Sequence, residues 1–141
     1  MVDLNPFYAP SVTVTVTGLA SLANAQSATS NSVSNLDYVD YVLTVTVATT
    51  ASALAGGTVE VYCQGSLNNI SYDDTANDKW VGTIYLPVTG AQTRVRTMTL
   101  AASFGGTLPP FFKIRMKNST GADLAATGSS LIYRAVTMQM T

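Results

Sequence analysis

Residue types that usually perform chemistry are sparse in this chain, and the absences narrow the choice first. No histidine occurs among the 141 residues, which removes the commonest general base, the histidine-activated nucleophile and the commonest transition-metal ligand. A Ser-Lys arrangement is formally open, but the lysines lie on strand faces without a matching serine motif. Cys63 is the single cysteine, so neither an internal disulfide nor a thiolate metal cage is available. Its alternation with Val59 and Val61 marks it as a small buried hydrophobe. Carboxylates gather once, in Tyr72-Asp73-Asp74-Thr75-Ala76-Asn77-Asp78. That run offers calcium-type oxygen ligands in a loop, yet lacks the EF-hand glycine and distant glutamate, and a solvated turn is the plainer expectation. A glycosidase acid pair there would want more acids and sugar-stacking aromatics. Gly56-Gly57 and Gly105-Gly106 lack the strand–loop–helix context of a phosphate loop. Asn69-Ile70-Ser71 and Asn118-Ser119-Thr120 fit the glycosylation acceptor pattern, and without a secretory signal they read as chance matches. The expectation is a non-enzymatic chain without a cofactor.

The charges are few and unevenly placed. Residues 1–78 hold Asp3, Asp37, Asp40, Glu60, Asp73, Asp74 and Asp78 with no cation, and residues 79–141 hold Lys79, Arg94, Arg96, Lys113, Arg115, Lys117 and Arg134 with only Asp123. The halves therefore carry seven negative charges and a net six positive ones. Early and late strands that neighbour each other would pair these charges internally; two oppositely charged faces would instead join subunits. Lys113, Arg115 and Lys117 alternate with Phe112, Ile114 and Met116, giving an outward basic stripe. Joined by Arg94, Arg96 and Arg134 it would suit phosphates, but a pI near 5.0 and the lack of interleaved tyrosines weigh against nucleic acid.

The elements that must position these residues are strands. Period-two alternation runs through 11–17, 38–49, 58–64, 80–88 and 111–118, each with one apolar and one polar face. In 93–101 the apolar phase slips between Val95 and Met98, which predicts a bulge. Residues 131–140 carry apolar side chains on both faces, as a strand covered on both sides or at an interface would. Gly56-Gly57, Gly65, Gly90, Pro109-Pro110 and Gly128 punctuate the chain, and 19–28 has room for a single turn at most. The fold expected is all-β: one antiparallel β-sandwich, jelly-roll-like, of about seven to eight strands over 11–141, preceded by an arm at 1–10. That arm is either frayed or clips onto a neighbour through Phe7 and Tyr8. Only 11% of residues are charged, against a norm of about 25%, so much of the surface is expected to lie against other protein. No signal peptide or membrane-length apolar run is evident, which fits synthesis in a reducing cytosol and release only within a particle.

Two stretches carry a resemblance. Gly18-Leu19-Ala20-Ser21-Leu22-Ala23, and Ala102-Ser103-Phe104-Gly105-Gly106-Thr107-Leu108-Pro109-Pro110 followed by Asn118-Ser119-Thr120-Gly121-Ala122-Asp123-Leu124, resemble the opening and ending motifs of a group of small tailed-bacteriophage virion proteins. The strand at 57–65 and the Trp80-Val81-Gly82 start fall in similar order. The resemblance implies a virion structural protein, a capsid decoration or head-fibre protein bound to the major capsid protein as a homo-oligomer, with a tail or baseplate component as the alternative. It brings no catalytic residues. The expected contacts are Phe7 and Tyr8 in the arm, the Lys113/Arg115/Lys117 stripe, and Tyr133 and Met138 in the last strand, with charge reversal at Arg115 weakening docking in a salt-sensitive way. A carbohydrate-binding β-sandwich is the alternative of a different class. It needs exposed aromatics, for which Tyr62, Tyr72, Trp80 and Tyr85 are the set at hand. Trp80, in phase with Ile84 and Leu86, is expected in the core.

Overall fold

In a computed structural model, which describes residues 3–35 and 37–140, the chain is an all-β sandwich of two antiparallel sheets. Its strands are β1 (Leu4–Tyr8), β2 (Val12–Val14), β3 (Val16–Thr17), β4 (Ser27–Ser30), β5 (Val33–Ser34), β6 (Asp40–Ala48), β7 (Thr58–Ser66), β8 (Lys79–Tyr85), β9 (Thr93–Thr99), β10 (Phe111–Ser119) and β11 (Ser130–Met140). Eleven strands replace the expected seven to eight because several are two- to five-residue pieces that alternation alone does not separate. One sheet, A, runs β1-β11-β6-β9 with β2 also on β11; the other, B, runs β3-β4-β10-β7-β8 with β5 also on β10.

The long central strands form as their pattern requires. Tyr41, Leu43, Val45 and Val47 of β6 face Val59, Val61 and Cys63 of β7 and Phe112, Ile114 and Met116 of β10 across the core, and all are buried. Tyr41 stacks edge-on against Phe112 at 4.9 Å and against Tyr133 at 5.2 Å between ring centroids, a geometry that adds to simple burial. Burial, with the rings of Tyr133 and Tyr38 nearby, pushes the Tyr41 phenol well above its usual range. Cys63 is buried as expected, and its thiol is likewise pushed up, chiefly by burial.

Three departures have physical causes. The alternation over 11–17 is split at Thr15: Val14 pairs with Leu131 in sheet A while Val16 pairs with Ser30 in sheet B, so one run of valines turns the sandwich corner. The bulge predicted in 93–101 is absent. β9 keeps unbroken register with β6 from Thr93↔Ala48 to Thr99↔Val42, and the phase slip arises because Val95 sits on the outer face, exposed. An irregularity lies instead in β8, where Val61 pairs with Gly82 but Tyr62 pairs with Trp80. The extra residue, Val81, reverses the phase, and Trp80 leaves the core for the flank at 56% exposure.

Asn118, the asparagine of one acceptor-like triplet, is fully buried. Its Nδ2 donates to the carbonyls of Leu22 and Ala122, both at 2.8 Å, and its Oδ1 accepts from the Thr120 amide at 3.0 Å. It therefore staples the end of β10 to the two loops beneath it and presents no amide to a glycosyl donor.

Candidate functional site

The two outer faces of the sandwich differ in chemistry, and register assigns each residue. On sheet B the outward set includes Lys113, Arg115 and Lys117 of β10, Glu60, Tyr62 and Gln64 of β7, and Ser27 and Thr29 of β4. On sheet A it is Thr93, Val95, Thr97 and Thr99 of β9, Val42, Thr44 and Thr46 of β6, Ile132 and Arg134 of β11, and Thr13 of β2. The sheet A face is thus a β-branched surface with almost no charge. The two charges at its border are committed to backbone. Asp40 Oδ1 accepts from the amides of Tyr41, Leu100 and Ala101 at 2.7, 3.1 and 2.8 Å, and Arg134 Nε donates to the Ala9 carbonyl at 2.9 Å.

That face continues into a two-stranded ribbon. β1 pairs along β11 with Leu4↔Met140, Pro6↔Met138 and Tyr8↔Val136, while β6 leaves off at Asp40↔Val136. Among the described residues, therefore, Thr137–Met140 have β1 as their only strand neighbour. Every residue of β1 is exposed. Partners across an antiparallel pair share a face, so Leu4, Pro6, Tyr8, Val136, Met138 and Met140 form one wholly apolar face on the side of the sheet A outer surface. Asn5, Phe7, Thr137 and Gln139 form the other. Ala9 donates to the Ala135 carbonyl at 2.9 Å, which sets the ladder phase and points the backbone of Pro6 to the free edge. Lacking an N–H, Pro6 blunts that edge against strand addition. Leu4 at 59%, Tyr8 at 45%, Met138 at 46% and Met140 at 77% exposure leave roughly 500 Å² of apolar surface on this face, at the upper end of what a lone domain shows.

The expected contact residues divide on this map. Phe7, Tyr8 and Met138 stand exposed on the ribbon, and within the expected arm Leu4–Tyr8 form an edge strand of sheet A, residues 1–2 lying outside the described residues. Tyr133 is half-buried with its ring against Tyr41, because β11 turns that side inward over β6. Arg115 corrects the idea of an exposed basic stripe. Its side chain is 9% exposed and its Nε donates to Asp78 Oδ2 at 2.6 Å. Nη1 donates to Ser27 Oγ at 3.0 Å, and the guanidinium lies 4.2 Å from the Tyr62 ring centroid. The loop before β8 folds over the sheet and takes Arg115 out of reach. Lys113 and Lys117 are half-buried, with the Lys113 ammonium 4.3 Å from the Tyr72 ring centroid.

The acidic loop is occupied by its own geometry. Asp73 Oδ2 accepts from the Gly65 amide at 3.0 Å, Asp74 Oδ1 accepts from the amides of Ala76 and Asn77, and Asp78 takes Arg115. These are turn-forming carboxylates. Among the described residues no three His, Cys, Asp or Glu side chains converge on a metal position. Sequence reasoning missed Leu4 and Met140, which no alternation marks because Pro6 breaks the pattern. It also missed the Trp80–Arg96 pairing, since the bulge that exposes Trp80 has no sequence signature beyond Gly82. Compared with known proteins, the chain matches no family model and no curated protein.

Proposed function

We propose that the chain is a non-enzymatic virion structural protein of a tailed phage, a capsid decoration or head-fibre domain that docks on the assembled shell and associates with its own copies. The observation that carries this reading is the β-branched sheet A face, with Arg134 its one exposed cation among the described residues, beside Tyr8, running into the apolar ribbon. A surface of Thr, Val and Ile has little to lose by leaving water, and an apolar ribbon face gains by being covered. The opposite sheet carries Lys113, Arg115, Lys117 and Glu60, and this difference in polarity between the two faces orients the domain on a support. Two ribbons stacked face to face would bury about 1,000 Å², the lower bound for a specific contact. The motifs around Leu19 and Phe104–Pro110 support the phage assignment.

Quantitative mass spectrometry of purified particles tests it. A copy number in simple ratio to the major shell protein supports decoration, and a low count matched to tail components moves the assignment to tail or baseplate. Absence from particles overturns the reading. Within that experiment, Met138→Glu combined with Met140→Glu lowers occupancy by about tenfold or more, since each charge must be desolvated in the contact.

A further inference from the structure

A second site lies on the opposite flank, where the edge strands β8 and β9 of the two sheets approach. A cleft of about 440 Å³ opens there, lined by the polar Arg96, Thr97, Thr99 and Ser103 and the apolar Trp80, Val81, Met98 and Ala102, a size within the range of small-ligand sites. Thr83 holds its two principal groups in place. The Trp80 indole N–H donates to Thr83 Oγ1 at 3.2 Å, and Arg96 Nη1 donates to the Thr83 carbonyl. An aromatic ring and a guanidinium from different sheets are thereby held to one residue, with Ser103 lining the same cleft. The charge of the flank is one-sided: β8 and β9 contribute Lys79, Arg94 and Arg96 and no acid. The nearest acids by register are Asp78, paired with Arg115, and Glu60, which stands opposite Thr83 on one side and Lys117 on the other and accepts from the Tyr62 hydroxyl at 3.2 Å.

We propose that the Trp80–Arg96 cleft binds an acidic saccharide. The C–H face of a pyranose packs on the exposed Trp80 ring, a carboxylate or sulfate meets Arg96 in a charge-assisted contact, and Ser103 exchanges hydrogen bonds with sugar hydroxyls. Single-stranded nucleic acid fits less well, because it needs a succession of stacking rings along a basic track and the cleft offers one ring in a bounded space. The site does not rest on the shell-docking reading; it lies at the end of sheet A away from the ribbon and borders the sheet A face at Thr97 and Thr99.

Trp80 is the only tryptophan, so its emission reports on this cleft directly. The isolated protein is titrated with tetragalacturonate, sialyllactose and a heparin-derived tetrasaccharide, with cellotetraose as the neutral control and an oligothymidylate of eight residues as the nucleic-acid control. The expected result is a saturable emission change with at least one acidic sugar at sub-millimolar to millimolar Kd. Arg96→Gln weakens that affinity about tenfold, and Trp80→Ala abolishes the heat of binding in calorimetry. No saturable change with any acidic sugar up to about 10 mM, equal binding of cellotetraose, or tighter Arg96-dependent binding of the oligothymidylate overturns the proposal. None of these outcomes bears on particle occupancy.

Discussion

Consider replacing Arg115 by Met. The side chain sits in the middle of β10, 9% exposed, with Asp78 above it at 2%. Removing the guanidinium strands a buried carboxylate, and losses of this kind run to about 3–5 kcal/mol. It also strips the cation from the Tyr62 ring and the donor from Ser27 Oγ. Against a total stability of about 7–15 kcal/mol for a domain of this length, the variant keeps its fold but melts roughly 10–20 °C lower. Asp78→Leu alone leaves the guanidinium buried without its anion and costs about as much. The double variant, Arg115→Met with Asp78→Leu, removes both charges together and returns to within about 1 kcal/mol of the parent.

Urea unfolding followed by far-ultraviolet circular dichroism on the four proteins gives the cycle directly. The coupling energy expected is at least about 2 kcal/mol, because the two side chains share one desolvated contact. Additive single losses, or an Arg115→Met variant within about 1 kcal/mol of the parent, would refute the reasoning and return Arg115 to the exposed stripe. The same geometry changes what charge reversal means. Arg115→Glu sets two carboxylates against each other under the loop, so any fall in particle occupancy tracks the folded fraction and is not a salt-screened docking effect.

Other perturbations test the interior. Asn118→Ala leaves the Thr120 amide without its acceptor and takes one of two donors from each of the Leu22 and Ala122 carbonyls, which keep the Leu124 amide and the Thr120 hydroxyl, a loss of about 2 kcal/mol in the same urea assay. The Tyr41 phenol is held above its usual value of 10.0, so the unfolded chain gives up that proton first as pH rises. The Tyr41 contribution is therefore intact below about pH 10 and falls above it by up to about 1.4 kcal/mol per pH unit, on top of the loss from the buried Cys63 thiol, which has the same sign and begins at lower pH. Tyr41→Phe makes that alkaline slope shallower above about pH 10 and leaves the part due to Cys63, at a cost near 1 kcal/mol at neutral pH for the bond to the Ser34 carbonyl. Cys63 is buried with its thiol pushed up, so a disulfide reagent reacts with it at the rate of unfolding, and rapid labelling of the folded protein would contradict its placement.

What the sequence discloses follows from what alternation encodes. A period of two states which side of a strand faces the core, and for β6, β7 and β10 that is borne out residue by residue: Leu43, Val61 and Ile114 are buried where the pattern puts them. Alternation carries no information on which strands pair, so neither the strand order nor the union of β1 with β11, some 130 residues apart, is legible. It also says nothing about what lies over an outward residue. Arg115 does point outward from its sheet, and only the path of the 67–78 loop brings Asp78 above it. The thirteen-residue span from Leu4 to Val16 shows the opposite limit: Pro6 disrupts the pattern over a real strand, while the valines of 11–17 continue it across a corner between sheets.

Trp80 joins these threads, since one inserted residue decides which chemistry the flank displays. With unbroken register, Trp80 would lie inward with Gly82 and Ile84, and the edge of β8 would present Lys79 and Val81. The irregularity opposite Val61 and Tyr62 turns the indole outward, where Thr83 fixes it beside Arg96. Gly82 lies against the Met98 side chain: a Cβ there would stand 2.8 Å from the Met98 sulfur, and the end of that flexible side chain swings aside to make room. Gly82→Ala should then keep the pairing of β8 and displace the Met98 thioether from the floor of the cleft while Trp80 itself is untouched. The emission of the sole tryptophan, and its accessibility to iodide, would stay close to those of the parent. A shift of both toward the values of the unfolded chain would mean that β8 cannot hold its place with a methyl group at 82, and that the bulge depends on the close approach of β9.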